Sequence, residues 1–153
     1  MKDLKIEEIT LNTRVAAVQC SYSVLFMGEK LTAKTMKYFR TKSFLSEQDT
    51  VDNKQIEVNA KLFAYLVKGI IKNQEVLDAE ISKYLKIELS KNDKLIISII
   101  RAGTFELLFR ENTPAPIVIS EYTKIANKFY PEKKTALVNA VLDKIAKSKV
   151  EAE

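Results

Sequence analysis

Leu95-Ile96-Ile97-Ser98-Ile99-Ile100 is the most apolar segment of the chain, and Arg101-Ala102-Gly103-Thr104-Phe105-Glu106-Leu107-Leu108-Phe109-Arg110 continues it. Apolar residues here recur at helical rather than alternating spacing, so the stretch reads as a helix. Ser90-Lys91-Asn92-Asp93 places capping side chains just before it, and the helix is expected to end near Arg110 at the centre of the fold. Arg101 and Glu106 stand inside this apolar run. Burying either charge costs several kcal/mol unless it is paired. They are five residues apart and therefore not on one face, whereas Glu106 and Arg110 at i, i+4 can meet.

Working outward, the chain has only three glycines and three prolines in 153 residues, and its apolar positions recur at helical spacing. Val15, Val18, Tyr22, Leu25 and Phe26 share one face of a helix from about Thr13 to Met27, with Gly28 as its stop. A second helix is expected over Leu31 to Leu45, burying Leu31, Met36, Phe39 and Phe44 only in part, with Lys30, Lys34 and Lys37 lining another face. Ser46 to Lys54 reads as loop. Leu62, Phe63, Leu66, Val67, Ile70 and Ile71 form the broad stripe of a third helix, and a shorter helix falls around Val76 to Leu85. Pro116 suits the first turn of a helix running to about Phe129, and Pro131 suits the start of the last helix. In that helix Leu137, Val138, Val141, Leu142 and Ile145 make one core face. The expectation is an all-α protein, one domain over residues 1–153, built as a single bundle of about seven helices.

Composition narrows the chemistry. The chain has no histidine, which removes Ser-His and Cys-His catalysis and the commonest metal ligand. Gly28, Gly69 and Gly103 are isolated from one another, so no phosphate-cradling glycine loop exists. Cys20 is the single cysteine; it excludes an intrachain disulfide and reads as a small apolar filler. Glu75, Asp78 and Glu80 read as an acidic helical surface. No enzymatic activity, metal or cofactor is expected. The start of the chain lacks the apolar core of a signal peptide, and no apolar run nears the roughly 20 residues that span a bilayer, so a cytoplasmic protein without membrane contact is expected.

The net charge of +5 is unevenly placed. Between Lys124 and Lys149 seven lysines stand against Glu132 and Asp143, and between Lys30 and Lys42 five basic residues stand against no acid. Such asymmetry suits a protein that meets a polyanion on one surface. Tyr38 within the second cluster and Tyr84 between Lys83 and Lys86 add aromatic rings of the kind that stack on exposed bases. Solvated lysine faces and ordinary amphipathic tyrosines are the alternative reading of the same residues.

The order of motifs resembles the NusB family of bacterial antitermination factors. Arg101 with Phe105-Glu106-Leu107-Leu108, then Pro114, Glu121 and Phe129, then Val138-Asn139-Ala140-Val141-Leu142-Asp143-Lys144 is similar to the family's closing series, with Ala140 in place of its glycine. Arg14 with Ala17-Val18-Gln19 and Tyr22 resembles its first helix. Phe63, Leu66, Val67 and Gly69 resemble the middle helix, and Leu77-Asp78, Ile81, Tyr84 and Leu85 the next.

The resemblance implies a non-enzymatic factor that binds boxA-type single-stranded RNA of nascent ribosomal RNA transcripts. It would act with NusE, a ribosomal protein of the small subunit, in the RNA polymerase antitermination complex. It also implies RNA contacts at Arg14, at the basic approach to it including Lys5, at Tyr84, and at Lys133 and Lys134 near the start of the last helix. The acidic surface with Glu75, Asp78 and Glu80 would face the ribosomal protein. The family commonly carries an arginine cluster before the position of Arg14, where this chain has Thr10-Leu11-Asn12-Thr13. From Met1 to Arg14 the basic residues Lys2, Lys5 and Arg14 are offset by Asp3, Glu7 and Glu8. RNA binding is then either weak without the partner, or relocated to Lys30–Lys42, with Lys34 and Lys37, and to Lys133 and Lys134. The alternative is a protein-interaction module of the same fold, a homodimer in one version, with weak or lost RNA recognition. Ala140 and Gly103, which stands where the family tends to have alanine, read as a compensated pair of close-packing positions.

Overall fold

The computed structural model describes residues 2–42 and 57–152. Among them the regular elements are seven α-helices and one short 3₁₀ turn: α1 (Lys2–Met27), α2 (Ala33–Lys42), α3 (Ala60–Lys72), α4 (Gln74–Ser82), the turn Leu89–Lys91, α5 (Lys94–Phe109), α6 (Ala115–Phe129) and α7 (Thr135–Ala152). The fold is all-α. It divides into two compact units, Met1–Ile71 and Lys72–Glu153. Among the described residues no helix is long and apolar enough to cross a membrane.

In the first unit α1 begins at Lys2, well before the Thr13 start that the apolar spacing suggested. The charged arm before Arg14 is helix rather than coil. No glycine or proline interrupts it, and its threonines hydrogen-bond to the helix's own carbonyls, Thr10 Oγ1 to Ile6 O at 2.9 Å and Thr13 Oγ1 to Ile9 O at 2.6 Å. The buried part of α1 also differs from the expected stripe: Thr13 to Val18 is buried all round, while Tyr22, Leu25 and Phe26 are half-buried. Thr13 serves a second purpose, because its Oγ1 accepts the Asn59 backbone N–H at 2.8 Å. Asn59 in turn caps α3, its Oδ1 accepting from the Leu62 N–H at 3.0 Å. Phe63, Leu66, Val67 and Ile70 are the buried face of α3, as their spacing required.

Helix α2 starts at Ala33, two residues after the expected Leu31, because Thr32 caps it by accepting the Thr35 N–H at 3.1 Å. The Phe44 core position, the expected end at Leu45 and the Ser46–Lys54 loop lie outside the described residues. Gly28, with φ of 77°, ends α1 in the left-handed conformation that glycine adopts without strain.

The second unit is built around α5, in which every residue from Ile96 to Leu107 is buried. It packs on α4, α6 and α7. Asp93 caps it as the sequence indicated, its Oδ1 accepting from the N–H groups of Leu95 and Ile96 at 2.9 and 3.1 Å. At the other end the Lys149 ammonium donates to Leu107 O at 2.8 Å, which ties the close of α7 to the close of α5. The charges inside the run are matched. Glu106, fully buried, accepts from the Tyr122 hydroxyl and from Arg110 Nη1, the latter at 2.8 Å.

Helix α7 starts at Thr135, not at Pro131. Glu132 has φ of 63°, and a left-handed residue breaks a right-handed helix. Residues 131–134 are therefore turn. Gly103 and Ala140 are not a pair. A Cβ on Gly103 would meet Leu142 Cδ1 at 2.8 Å and Tyr122 Cδ2 at 3.3 Å, whereas Ala140 is exposed. The glycine lets α5 approach the side chains of α6 and α7.

Candidate nucleic-acid interface

The side chains singled out for RNA contact are divided between the two units. In the first, Lys34 and Lys37 are exposed on α2, one helical turn apart. Lys5 is exposed on α1 and lies 3.7 Å from the Glu57 carboxylate. With the two side chains 69% and 63% exposed, that ion pair is worth little and leaves the ammonium open to other anions. Arg14 is different. It is only 2% exposed, so its guanidinium belongs to the interior and is not presented to a phosphate in this structure.

In the second unit Lys133 is exposed in the turn between α6 and α7, and Lys134 beside it is half-buried. The turn is fixed locally: the Lys133 N–H donates to Tyr130 O at 3.2 Å and the Glu132 N–H to Asn127 Oδ1 at 3.0 Å. Tyr84 follows the end of α4, half-buried, with its N–H donating to Ile81 O at 3.0 Å.

Two of the three acids on α4 have cationic partners. Glu75 is exposed in the first turn of the helix. Glu80 accepts from the Lys83 ammonium at 2.8 Å, and this hydrogen bond and charge hold Lys83 above the usual lysine range. Asp78 is taken up by Arg101, both of its oxygens accepting from the guanidinium. In the sequence Glu75, Asp78 and Glu80 read as an acidic helical surface, but the partner of Asp78 is 23 residues away in sequence and no local pattern pointed to it.

Cys20 is fully buried, and burial pushes its thiol up to about 12. It stays protonated and packs as an apolar group. Among the described residues no group of three or more His, Cys, Asp or Glu side chains could hold a metal ion.

Two grooves went unnoticed in the sequence. One, of about 730 Å³, lies beside the α1–α2 turn and includes Lys30, Lys34 and Tyr38. The other, of about 710 Å³, lies along α6 and α7 and is lined by Ser120, Thr123, Asn127, Asn139 and others. Both are made by residues from two helices, so helical spacing within one element does not disclose them.

Among the described residues, seven helices with exposed cationic and aromatic side chains on both units make an all-α protein. Residues 11–147 match the model of the NusB family. The transcription antitermination protein NusB of Sinorhizobium medicae (strain WSM419) is 35% identical over 136 residues, 88% of this chain and 83% of that protein. Its counterpart in Bartonella quintana (strain Toulouse) is 32% identical over 136 residues, 88% of this chain and 85% of that one. The chain belongs to the NusB family.

Solved structures agree on the fold. NusB of T. maritima has a TM-score of 0.70 at 23% identity, covering 90% of this chain and 89% of that one. A chain in the crystal structure of a plectonemic RNA supercoil has a TM-score of 0.74 at 22% identity, covering 94% and 97%.

Proposed function

We propose that this protein is a cytoplasmic, non-enzymatic transcription antitermination factor. In this reading it binds boxA-type single-stranded RNA of nascent ribosomal RNA transcripts together with NusE and helps RNA polymerase resist termination. The observation that carries the reading is the family match over residues 11–147, with antitermination proteins at 35% identity. The exposed Lys34, Lys37 and Lys133 and the half-buried Tyr84 supply what single-stranded RNA needs, cations for phosphates and a ring for a base. Both units act as one RNA-binding domain over residues 1–153. Glu75 and Glu80 face the ribosomal protein, and Asp78 contributes by holding α4 against α5.

The test is a titration of boxA-like single-stranded RNA with the protein, with and without a NusE-type partner, at two salt concentrations. Salt-sensitive binding that the partner strengthens is the expected result. No RNA binding even with the partner points instead to a protein-interaction module of the same fold, homodimeric or otherwise. The charge-balanced arm before Arg14 and the burial of Arg14 itself favour that second reading.

A further inference from the structure

The groove beside the α1–α2 turn lies wholly within the first unit and has a volume of about 730 Å³, inside the roughly 300–1,000 Å³ of small-molecule sites. Lys30, Lys34, Thr32 and Tyr38 line it, with Glu29 as the carboxylate on its wall. Its two lysines open a run of five basic residues, continued by Lys37, Arg40 and Lys42, that no acid interrupts. Tyr38 is 56% exposed. An edge contact with Phe39, centroids 5.2 Å apart and planes at 86°, sets the orientation of its ring.

The backbone of the groove is held in place by its own hydrogen bonds. The Glu29 N–H donates to Ser23 O at 3.1 Å, and Thr35, only 8% exposed, donates from Oγ1 to Lys30 O at 2.8 Å. Thr35 also donates its N–H to Thr32 Oγ1 at 3.1 Å. A wall fixed before a ligand arrives costs little ordering on binding.

We propose that this groove is a nucleotide subsite, taking one unstacked base of single-stranded RNA on the ring of Tyr38 and the neighbouring phosphates on Lys30 and Lys34. The proposal rests on the RNA-binding reading above and adds a location and a mode of contact to it. Cations beside an exposed ring fit a single strand in particular. A duplex keeps its bases stacked away from the ring, and an acidic peptide would use the lysines and leave the ring without a partner.

The test is a fluorescence titration of labelled boxA-like single-stranded RNA with the full chain and a NusE-type partner, at several salt concentrations. Wild type is compared with Tyr38→Ala, Tyr38→Phe and Lys34→Gln, all exposed positions, and thermal melts check that each variant is folded. Tyr38→Ala is expected to weaken binding about tenfold with an unchanged salt slope, and Tyr38→Phe, which keeps the ring, to bind as wild type. Lys34→Gln is expected to lower the salt slope by about 0.7, the single-strand value for one phosphate. RNA-binding wild type with Tyr38→Ala and Lys34→Gln unchanged overturns the subsite and leaves the RNA reading standing. Wild type that binds no RNA overturns both. Variants that lose only the protein partner make the groove a protein interface and overturn the subsite.

Discussion

Arg101 on α5 grips both carboxylate oxygens of Asp78 on α4, Nε to Oδ1 at 2.7 Å and Nη2 to Oδ2 at 2.8 Å, with the arginine side chain 3% exposed and the aspartate 26%. The fork geometry matches the planar guanidinium to the carboxylate and makes each bond charge-assisted. It explains how an arginine is carried in the middle of the most apolar helix of the chain. Removing the acid takes the bidentate carboxylate from a buried cation, so Asp78→Ala is expected to destabilise the fold by about 3 kcal/mol, the low end of the cost of breaking a buried pair because Asp78 is partly solvated. For a chain of this length that corresponds to a melting temperature about 6–12 °C lower. Adding Arg101→Met should recover much of the loss in a double-mutant cycle. Additive losses would show that the pair is not the unit.

Gly103 and Ala140 give a second test. In Gly103→Ala the new methyl meets a fully buried Leu142 at 2.8 Å. The helix-propensity gain of about 1 kcal/mol is smaller than a typical overpacking cost of roughly 1–3 kcal/mol, so a net loss of stability is expected. Ala140→Gly, at an exposed helical position, should cost about 1 kcal/mol by propensity alone and leave RNA affinity unchanged. Urea melts of the double variant should show the two effects adding.

Burial of Cys20 sets a pH dependence. Its thiol rises from 9.0 to about 12 in the folded protein because the thiolate is desolvated. The unfolded chain therefore loses this proton first as pH rises. The stability contribution is whole below about 9 and declines between about 9 and 12. Urea melts at pH 7 and pH 10 should show this decline in wild type and less of it in Cys20→Ala. The native thiol should react with a disulfide reagent at neutral pH only after denaturation.

The two basic sets can be ranked on RNA. Lys133→Glu with Lys134→Glu is expected to weaken RNA binding more than Lys5→Glu, and to lower the salt slope by about 1.4, the single-strand value for two phosphates. Lys5 already faces Glu57 across an exposed 3.7 Å pair, so part of its field is offset. Equal losses from the two changes would remove the case for a basic surface relocated away from the N-terminal arm.

Asp93 links two elements, capping α5 through Oδ1 while its Oδ2 accepts from the Tyr130 hydroxyl at 2.8 Å. Asp93→Ala is expected to cost about 1 kcal/mol for the cap, with up to about 1 kcal/mol more for the lost hydroxyl bond. Tyr130→Phe should cost only the second part. A Tyr130→Phe variant as unstable as Asp93→Ala in urea melts would contradict this division.

Helix identity, the cap at Asp93, the Glu106–Arg110 pair and the inert Cys20 were legible in the sequence, because each depends on residues within a few positions or on how apolar a run is. Helical periodicity and capping are local properties of the backbone, and the central place of α5 was expected because it opens with the most apolar segment of the chain. The family resemblance was legible for a related reason: its motifs keep their order along the chain. What only the tertiary structure decided are the relations that join distant residues. The partner of Arg101, the Tyr122 hydroxyl on Glu106, the close approach of Leu142 to Gly103, the burial of Arg14 and the groove that sets Tyr38 beside Lys30 and Lys34 all arise when helices pack. A sequence records how residues repeat along one helix, but a side chain's partner, exposure and field depend on the neighbouring helix that meets it.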